Sequence, residues 1–371
     1  MSQGWLVLMT AIVMFPLVLI STIMPFLTRR IESFGVTVPE QAQKDSRLAA
    51  LRSQYVWWNG AAGVALSASL VLLSLSGMNE ERWSLVMMGH VFGYLILSFL
   101  LYLKQHRAVK RIKQQENWLT DKVQRVIVNT KFRQEKLTVS YLWFIPHFLL
   151  IVSFVLIGLL GYDQFPDRIP MKHDFEGNIT RTVEKSYSAV MWPAIIGSFV
   201  LLVFIFVNYS IGRSKQIVES SDPDGSLRRN VKFRRYWSSF VVVNAFLMIA
   251  MFGSFQLYQL LDWDIRVPSV LVLVVTGIIV VGSIVLSIVT GQGGSRIGGG
   301  VGDADGKAAA AAGDQDQHWK LGQFYFNPKD PAIFVEKRFG VGWTMNFARP
   351  LGWLILIGII AVPLLLAWLL G

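Results

Sequence analysis

Long apolar blocks alternate with short polar or basic stretches along almost the whole chain. A bilayer span needs about 20 mostly apolar residues. Eight blocks reach that length, at roughly 4–27, 55–76, 83–103, 141–161, 188–211, 237–261, 267–290 and 351–370. None carries Asp, Glu, Lys or Arg in its central part. The pattern predicts an all-α integral membrane protein with eight transmembrane helices. The first block reads as a retained span: no basic stretch precedes it, and Arg29-Arg30 follow it as a stop. Between the seventh and eighth blocks the periodicity breaks. Segment 291–317 is a Gly/Ala/Asp-rich linker, and segment 318–350 returns to mixed apolar and polar residues. The expected organisation is a seven-helix membrane domain over 1–290, a flexible linker over 291–317, a small β-rich module over 318–350 and an eighth helix over 351–371.

Composition agrees with the pattern. Of 371 residues, 53% are hydrophobic and 16% charged, against roughly 25% charged in soluble domains. With no cysteine, disulfide scaffolds, thiolate zinc sites, iron–sulfur clusters and Cys nucleophiles are excluded. The net charge of +11 is unevenly distributed. Alternate connections 29–53, 104–140, 212–236 and 291–350 hold 29 of the 35 Lys and Arg, and the other connections hold six. By the positive-inside rule the four basic connections face the cytoplasm and an anionic inner leaflet, with both termini outside. The basic charge is thereby assigned to lipid. No base-stacking pattern accompanies it, so no nucleic acid is expected.

The basic connections carry local signals. In 29–53, Pro39-Glu40 reads as the start of an amphipathic surface helix running to Tyr55. In 104–140, Val109, Ile112 and Trp118 share one helical face among basic residues, which predicts an interfacial helix on anionic lipid. Val126-Ile127-Val128 then predicts a strand. In 212–236, the turn cluster SDPDGS precedes RRNVKFRRYW, read as a solvated, lipid-facing charge run. Within 318–350, GQFYFN and AIFVEKR read as strands joined by a turn at 327–331, with VGWTMNF a third. Trp319, Tyr325, Asn327, Asp330, Arg338, Trp343 and Asn346 are the candidate residues of this module, whose aromatics suit a mini-core or the membrane surface and which is a candidate to hold a cytosolic protein partner.

Candidate chemistry is sparse. The polar residues inside spans include Asn59, His90, His147, Asn208 and Asn244. They suit helix packing, or the cavity of a small-molecule or lipid transporter. His90 and His147 fall at opposite depths and are not expected to share a metal. No HExxH, facing carboxylate pair or GxSxG elbow appears. Near-matches to a phosphate loop and a calcium loop in 301–308 fail, because Val301 and Ala308 replace the required Gly and Ser/Thr and the terminal Glu is missing. No enzyme, metal or cofactor is expected. Connection 162–187, with five acids, four bases and two prolines, is the main external segment and the best candidate to meet a ligand. Its candidate contacts are Asp167, Arg168, Lys172, His173, Asp174 and Glu176.

FPDRIPMKHDFEGNITR in that segment resembles a bacterial domain of unknown function that also occurs in SdpI-type immunity and signalling membrane proteins. Pro166, Asp167, Arg168, Ile169, Pro170, Asp174 and Gly177 match the pattern. The chain departs from it at Lys172, where the family has His, although His173 follows one place along. Residues 318–350 resemble a second uncharacterised module found at the C-terminus of such proteins. The resemblance implies a Gram-positive plasma-membrane protein; the polar outer segment, the linked cytosolic module and the spans without charge point to one that senses, or gives immunity to, an extracellular peptide or envelope-active agent.

Overall fold

The computed structural model describes residues 3–118, 135–174, 177–217, 223–298 and 316–370. They form a mostly helical protein gathered into two compact units. The first comprises 1–134, 215–233 and 284–348, and the second 135–214, 234–283 and 349–371.

The first unit is built on α1 (Gln3–Leu27), α2 (Ser46–Ser74) and α3 (Glu80–Gln115). Asp45 caps α2 by accepting from the Arg47 N–H at 2.8 Å, and Asn79 caps α3 through the Arg82 N–H at 3.0 Å. Met14, Leu70 and Tyr94 form an apolar cluster between the three helices. α1 and α2 approach closely because residue 63 is glycine: a Cβ there would lie 2.5 Å from a Val18 methyl.

Three connections differ from their sequence reading. Helix does begin after Pro39, as expected, but as a single 3-10 turn that breaks at Asp45, so 29–55 holds no one surface helix. Instead β1 (Glu32–Ser33) and β2 (Val36–Thr37) form a tight hairpin, a 3-10 turn covers Glu40–Lys44, and α2 begins directly at Ser46. The basic residues after Leu103 form no separate interfacial helix. With no Gly or Pro between Leu103 and Gln115, and residues of good helix propensity throughout, α3 continues unbroken. Its inner face then buries Tyr102 and Val109 against Phe34, Val36, Val38 and Leu48. The linker also begins later than expected. Residues 291–298 are ordered, and Gln292 is buried, donating to the carbonyls of Lys337 and Gly342 at 3.0 and 2.9 Å. The expected strand at 126–128, and 299–317 up to residue 315, lie outside the described residues.

The C-terminal module carries four short strands in two antiparallel pairs. β5 (Trp319–Lys320) pairs with β6 (Phe324–Tyr325), and β7 (Phe334–Glu336) with β8 (Trp343–Met345). Trp319, Tyr325 and Val335 form its small core. A parallel bridge from Tyr325 to Asn346 joins the two pairs.

The second unit packs α4 (Ile145–Leu160), α5 (Tyr187–Arg213), the later part of α6 (Pro223–Leu260), the earlier part of α7 (Arg266–Thr290) and α8 (Pro350–Leu370). Phe154, Ala194, Val200, Ala245 and Ile249 are among its core residues. Gly253 lets α6 lie against the Phe154 ring, whose Cζ would be 1.8 Å from an added Cβ. The charge run 227–236 also departs from its sequence reading. It is helical, the opening of α6, and only part of it is solvated. Arg228, Lys232 and Arg235 are exposed, whereas Arg234 is fully buried. Its guanidinium donates to the carbonyls of Ile211 at 2.5 Å and Ser214 at 3.1 Å, capping the C-terminal end of α5 where helix carbonyls lack partners.

Among the described residues seven helices, α1 to α7, are long and apolar enough to cross a membrane, and α8 is apolar throughout. The outward side chains support the same reading. On α3, Leu85, Phe92, Ile96 and Leu100 are exposed, while Trp83 and Tyr94 are buried. A contiguous apolar outer face is unfavourable in water and matched to lipid.

Candidate functional site

In the second unit, β3 (Arg168–His173) and β4 (Ile179–Glu184) form an antiparallel hairpin between α4 and α5. The alternation of the strand puts Ile169 inward, where it is fully buried with Phe165, Ala189 and Val190. Asp174 closes the turn: its carboxylate accepts from the Asn178 backbone N–H at 2.7 Å and side-chain amide at 2.9 Å. Gly177 follows at φ +90°, a left-handed conformation suited to glycine. Two side chains of α6 hold the hairpin down. Gln259 donates to the Pro170 carbonyl at 3.1 Å, and the Tyr258 hydroxyl lies 3.1 Å from His173 Nε2. Burial lowers the His173 pKa, against a smaller raising effect of Asp174, so the imidazole favours its neutral form.

The six residues singled out in this segment therefore divide by position. Asp167, Arg168 and Lys172 are exposed and available to a ligand. His173 is anchored to α6 and Asp174 is engaged in the turn, so both shape the hairpin. Glu176 lies outside the described residues.

A second polar assembly lies in the first unit, around the C-terminal module. Arg29, just past the end of α1, forms an ion pair with Glu336 of β7, and the two side chains are 3% and 0% exposed. Asn230 of α6 donates to Glu336 at 2.8 Å. Arg338 pairs with Asp316, lies 3.8 Å from Glu32 of β1 and sits over the Trp319 ring at 5.1 Å. Lys113 of α3 donates to Asp316 at 2.7 Å, and the Thr37 hydroxyl at 3.0 Å. Buried charges persist only when paired and hydrogen-bonded, and here each sign meets the other.

The module's own candidate residues are mostly internal. Asn346 is fully buried. Its amide donates to the carbonyls of Asn327, Asp330 and Ala332, and its oxygen accepts from the N–H groups of Asn327 and Ala348. Asp330 accepts from Lys215 at 2.5 Å and from the Tyr325 hydroxyl at 2.7 Å. Burial, reinforced by Asp330, pushes the Tyr325 pKa up to about 12, which keeps that donor protonated. Trp343 packs against Phe233 with ring centroids 5.2 Å apart. These side chains build the module and its seat in the first unit. Arg29, Glu32, Lys113, Asn230 and Glu336 were not among the sequence candidates. The Arg29-Arg30 pair carries a generic stop signal, and the apolar context of Glu336 gives no sign of a buried partner.

Burial pushes the pKa of Asp316 and Asp330 up, but Arg338 and Lys113 beside Asp316, and Lys215 and Tyr325 beside Asp330, outweigh it. Both carboxyls are held below their ordinary 3.8. A lowered folded-state pKa gives stability that is complete above the unfolded value and lost as pH falls through the folded one. Hydrogen-exchange protection at 316–346, taken relative to the intrinsic exchange rate at each pH, is therefore expected to be unchanged from pH 8 down to about 5 and to fall below about 3.8. D316N and D330N should remove part of that acid step.

The intramembrane polar residues have local partners. Asn59 donates to the Tyr94 hydroxyl at 2.8 Å and Thr22 at 3.2 Å. His90 Nε2 lies 3.0 Å from the Ser69 hydroxyl and its Nδ1 2.8 Å from the Val86 carbonyl. His147 Nε2 meets the Val242 carbonyl at 2.8 Å, and the Ser238 hydroxyl donates to Asn208 at 2.5 Å. Asn244 is buried, and its Oδ1 accepts no hydrogen bond among the described residues. No group of three His, Asp or Glu able to hold a metal occurs among the described residues.

Two stretches match known families. Residues 148–197, from α4 through the β3/β4 hairpin into α5, match a domain of unknown function, DUF1648. Residues 328–353, from the turn before β7 into α8, match a family of unknown function, DUF5808. No curated protein and no solved structure matches the chain.

Proposed function

We propose that the chain is a non-enzymatic plasma-membrane protein that senses, or protects against, an extracellular peptide or other envelope-active agent. The β3/β4 hairpin faces outward and meets the agent through Asp167, Arg168 and Lys172. The C-terminal module faces the cytosol and passes the state to a protein partner. The observation that carries this reading is the continuity of α6. One helix of 38 residues holds Asn230, bonded to Glu336 of the module, near its start. Near its end it holds Tyr258 and Gln259, bonded to the hairpin. A ligand acts through such an element by binding two of its arrangements unequally. The 29 basic residues gathered on alternate connections support this orientation. The internal partners of Asn59, His90, His147 and Asn208 favour helix packing over a permeation path.

Tags inserted at positions 175 and 310 are expected on opposite faces of the membrane. Cells expressing the wild-type chain are expected to survive a panel of membrane-active peptides better than cells without it. R168E/K172E at the hairpin should remove that gain, and so should N230A at the ionic assembly. Tags on one face, or a hairpin variant that protects as well as wild type, would overturn the reading.

A further inference from the structure

A cavity of about 190 Å³ in the C-terminal module is lined by Gln323, Phe324, Lys337, Arg338, Phe339 and Thr344. It is smaller than the roughly 300–1,000 Å³ pockets that enclose whole drug-sized ligands, so its occupant is a compact group. One wall is rigid: the Phe339 ring packs on Phe34, Tyr55 and Tyr102, with centroids 5.6, 6.2 and 4.5 Å away. Another lining ring, Phe324, lies 5.4 Å from Phe347 and 6.4 Å from Phe99 of α3, and remains 39% exposed.

The charges around the cavity are unequal. Arg338 is already neutralised by Asp316 and Glu32. Part of the Lys337 side chain is exposed, but its ammonium is desolvated, which lowers its pKa, and it has no hydrogen bond or ion pair among the described residues. Gln323 and Thr344 add neutral hydrogen-bonding groups. The wall therefore presents one uncompensated cation, two neutral polar groups and two aromatic faces.

Its position in the fold narrows the ligand. Phe99 belongs to the apolar run of α3, and the next charged residue of that helix, Lys104, follows five residues on. At the helical rise this is about 7.5 Å, so the cavity lies where the apolar length of α3 gives way to its basic extension. We infer that this cavity binds the phosphate of an anionic phospholipid headgroup, with the lipid's apolar part lying along Phe324 and Phe99. Lys337 supplies the charge-assisted bond to the phosphate oxygen. The inference goes beyond the sensing role and does not depend on the hairpin.

The full chain, purified and delipidated in nonionic detergent, is titrated with phosphatidylglycerol or phosphatidylcholine and its bound lipid counted by native mass spectrometry. Phosphatidylglycerol is expected to occupy one tight site on the wild-type chain, and phosphatidylcholine, whose choline cation offsets its phosphate, to bind there more weakly. Loss of a charged hydrogen bond predicts binding about tenfold weaker in K337Q, with K337R retaining it. K110Q, on the exposed basic face of α3, should bind as wild type does. Competition by sodium phosphate separates the two sources of the group, and the lipid is expected to stay bound. Displacement by free phosphate, wild-type binding in K337Q, or an equal loss in K110Q would each overturn the inference.

Discussion

Replacing Glu336 with alanine is expected to destabilise the first unit by about 3–5 kcal/mol, the cost of leaving one member of a buried pair without its counter-ion. Arg29 is 3% exposed. Asn230 would lose its acceptor at the same time. The measurement is the unfolding midpoint of the purified chain in detergent, paired with hydrogen exchange at 316–346. The hairpin 168–184, in the other unit, should keep wild-type exchange. Replacing both charges at once, as R29M/E336L, is expected to recover most of the loss, because two apolar side chains of similar volume leave neither member of this pair buried without the other. A double variant no better than E336A would mean that the assembly depends on its shape and not on the charge pair.

The second large effect is expected at Gly35. Its φ is +75°, and an added Cβ would lie 2.4 Å from the Gly322 carbonyl oxygen and 2.6 Å from the Tyr102 hydroxyl. The left-handed backbone alone costs an alanine about 1–2 kcal/mol, and overpacking typically adds about 1–3 kcal/mol. The nearest atom is backbone, so no rotamer change relieves the contact. Gly35→Ala should therefore separate the β1/β2 hairpin from the β5/β6 turn. Faster exchange is expected at 32–37 and 319–325 together. Gly322, at φ +71°, faces Tyr102 and His106 side chains. Gly322→Ala combined with Tyr102→Phe should recover part of its own loss. Tyr102→Phe should recover little in Gly35→Ala, where the carbonyl remains.

Both predictions concern contacts that join segments far apart in the chain, and these are the contacts that patterning misses. The span positions were legible because burial in lipid demands some twenty apolar residues in a row, and local composition reports that directly. The β-module was legible for a similar reason: GQFYFN, AIFVEKR and VGWTMNF carry strand residues flanked by turn residues, and β6, β7 and β8 fall within them. The basic connections were misread because one-dimensional charge does not say which residues are solvated. In RRNVKFRRYW, Arg235 is exposed and its neighbour Arg234 is buried. The α5 carbonyls that Arg234 caps contribute to the difference.

The hairpin candidates illustrate the same division. Asp167, Arg168 and Lys172 could be placed on a polar connection from composition. That Asp174 closes the turn and His173 rests on Tyr258 required the register of β3 against β4 and the position of α6.

The amino-acid order alone determined where the apolar helices run, which connections carry the basic charge and that a short β-rich segment precedes the final helix. Each of these depends on neighbours within one or two dozen residues. Tertiary structure alone decided that Arg29, Glu32, Lys113, Asn230, Asp316, Glu336 and Arg338 meet in one buried assembly. Coulomb and hydrogen-bond energies depend on distance in space, and residues 29 and 336 become neighbours only once the helices have packed.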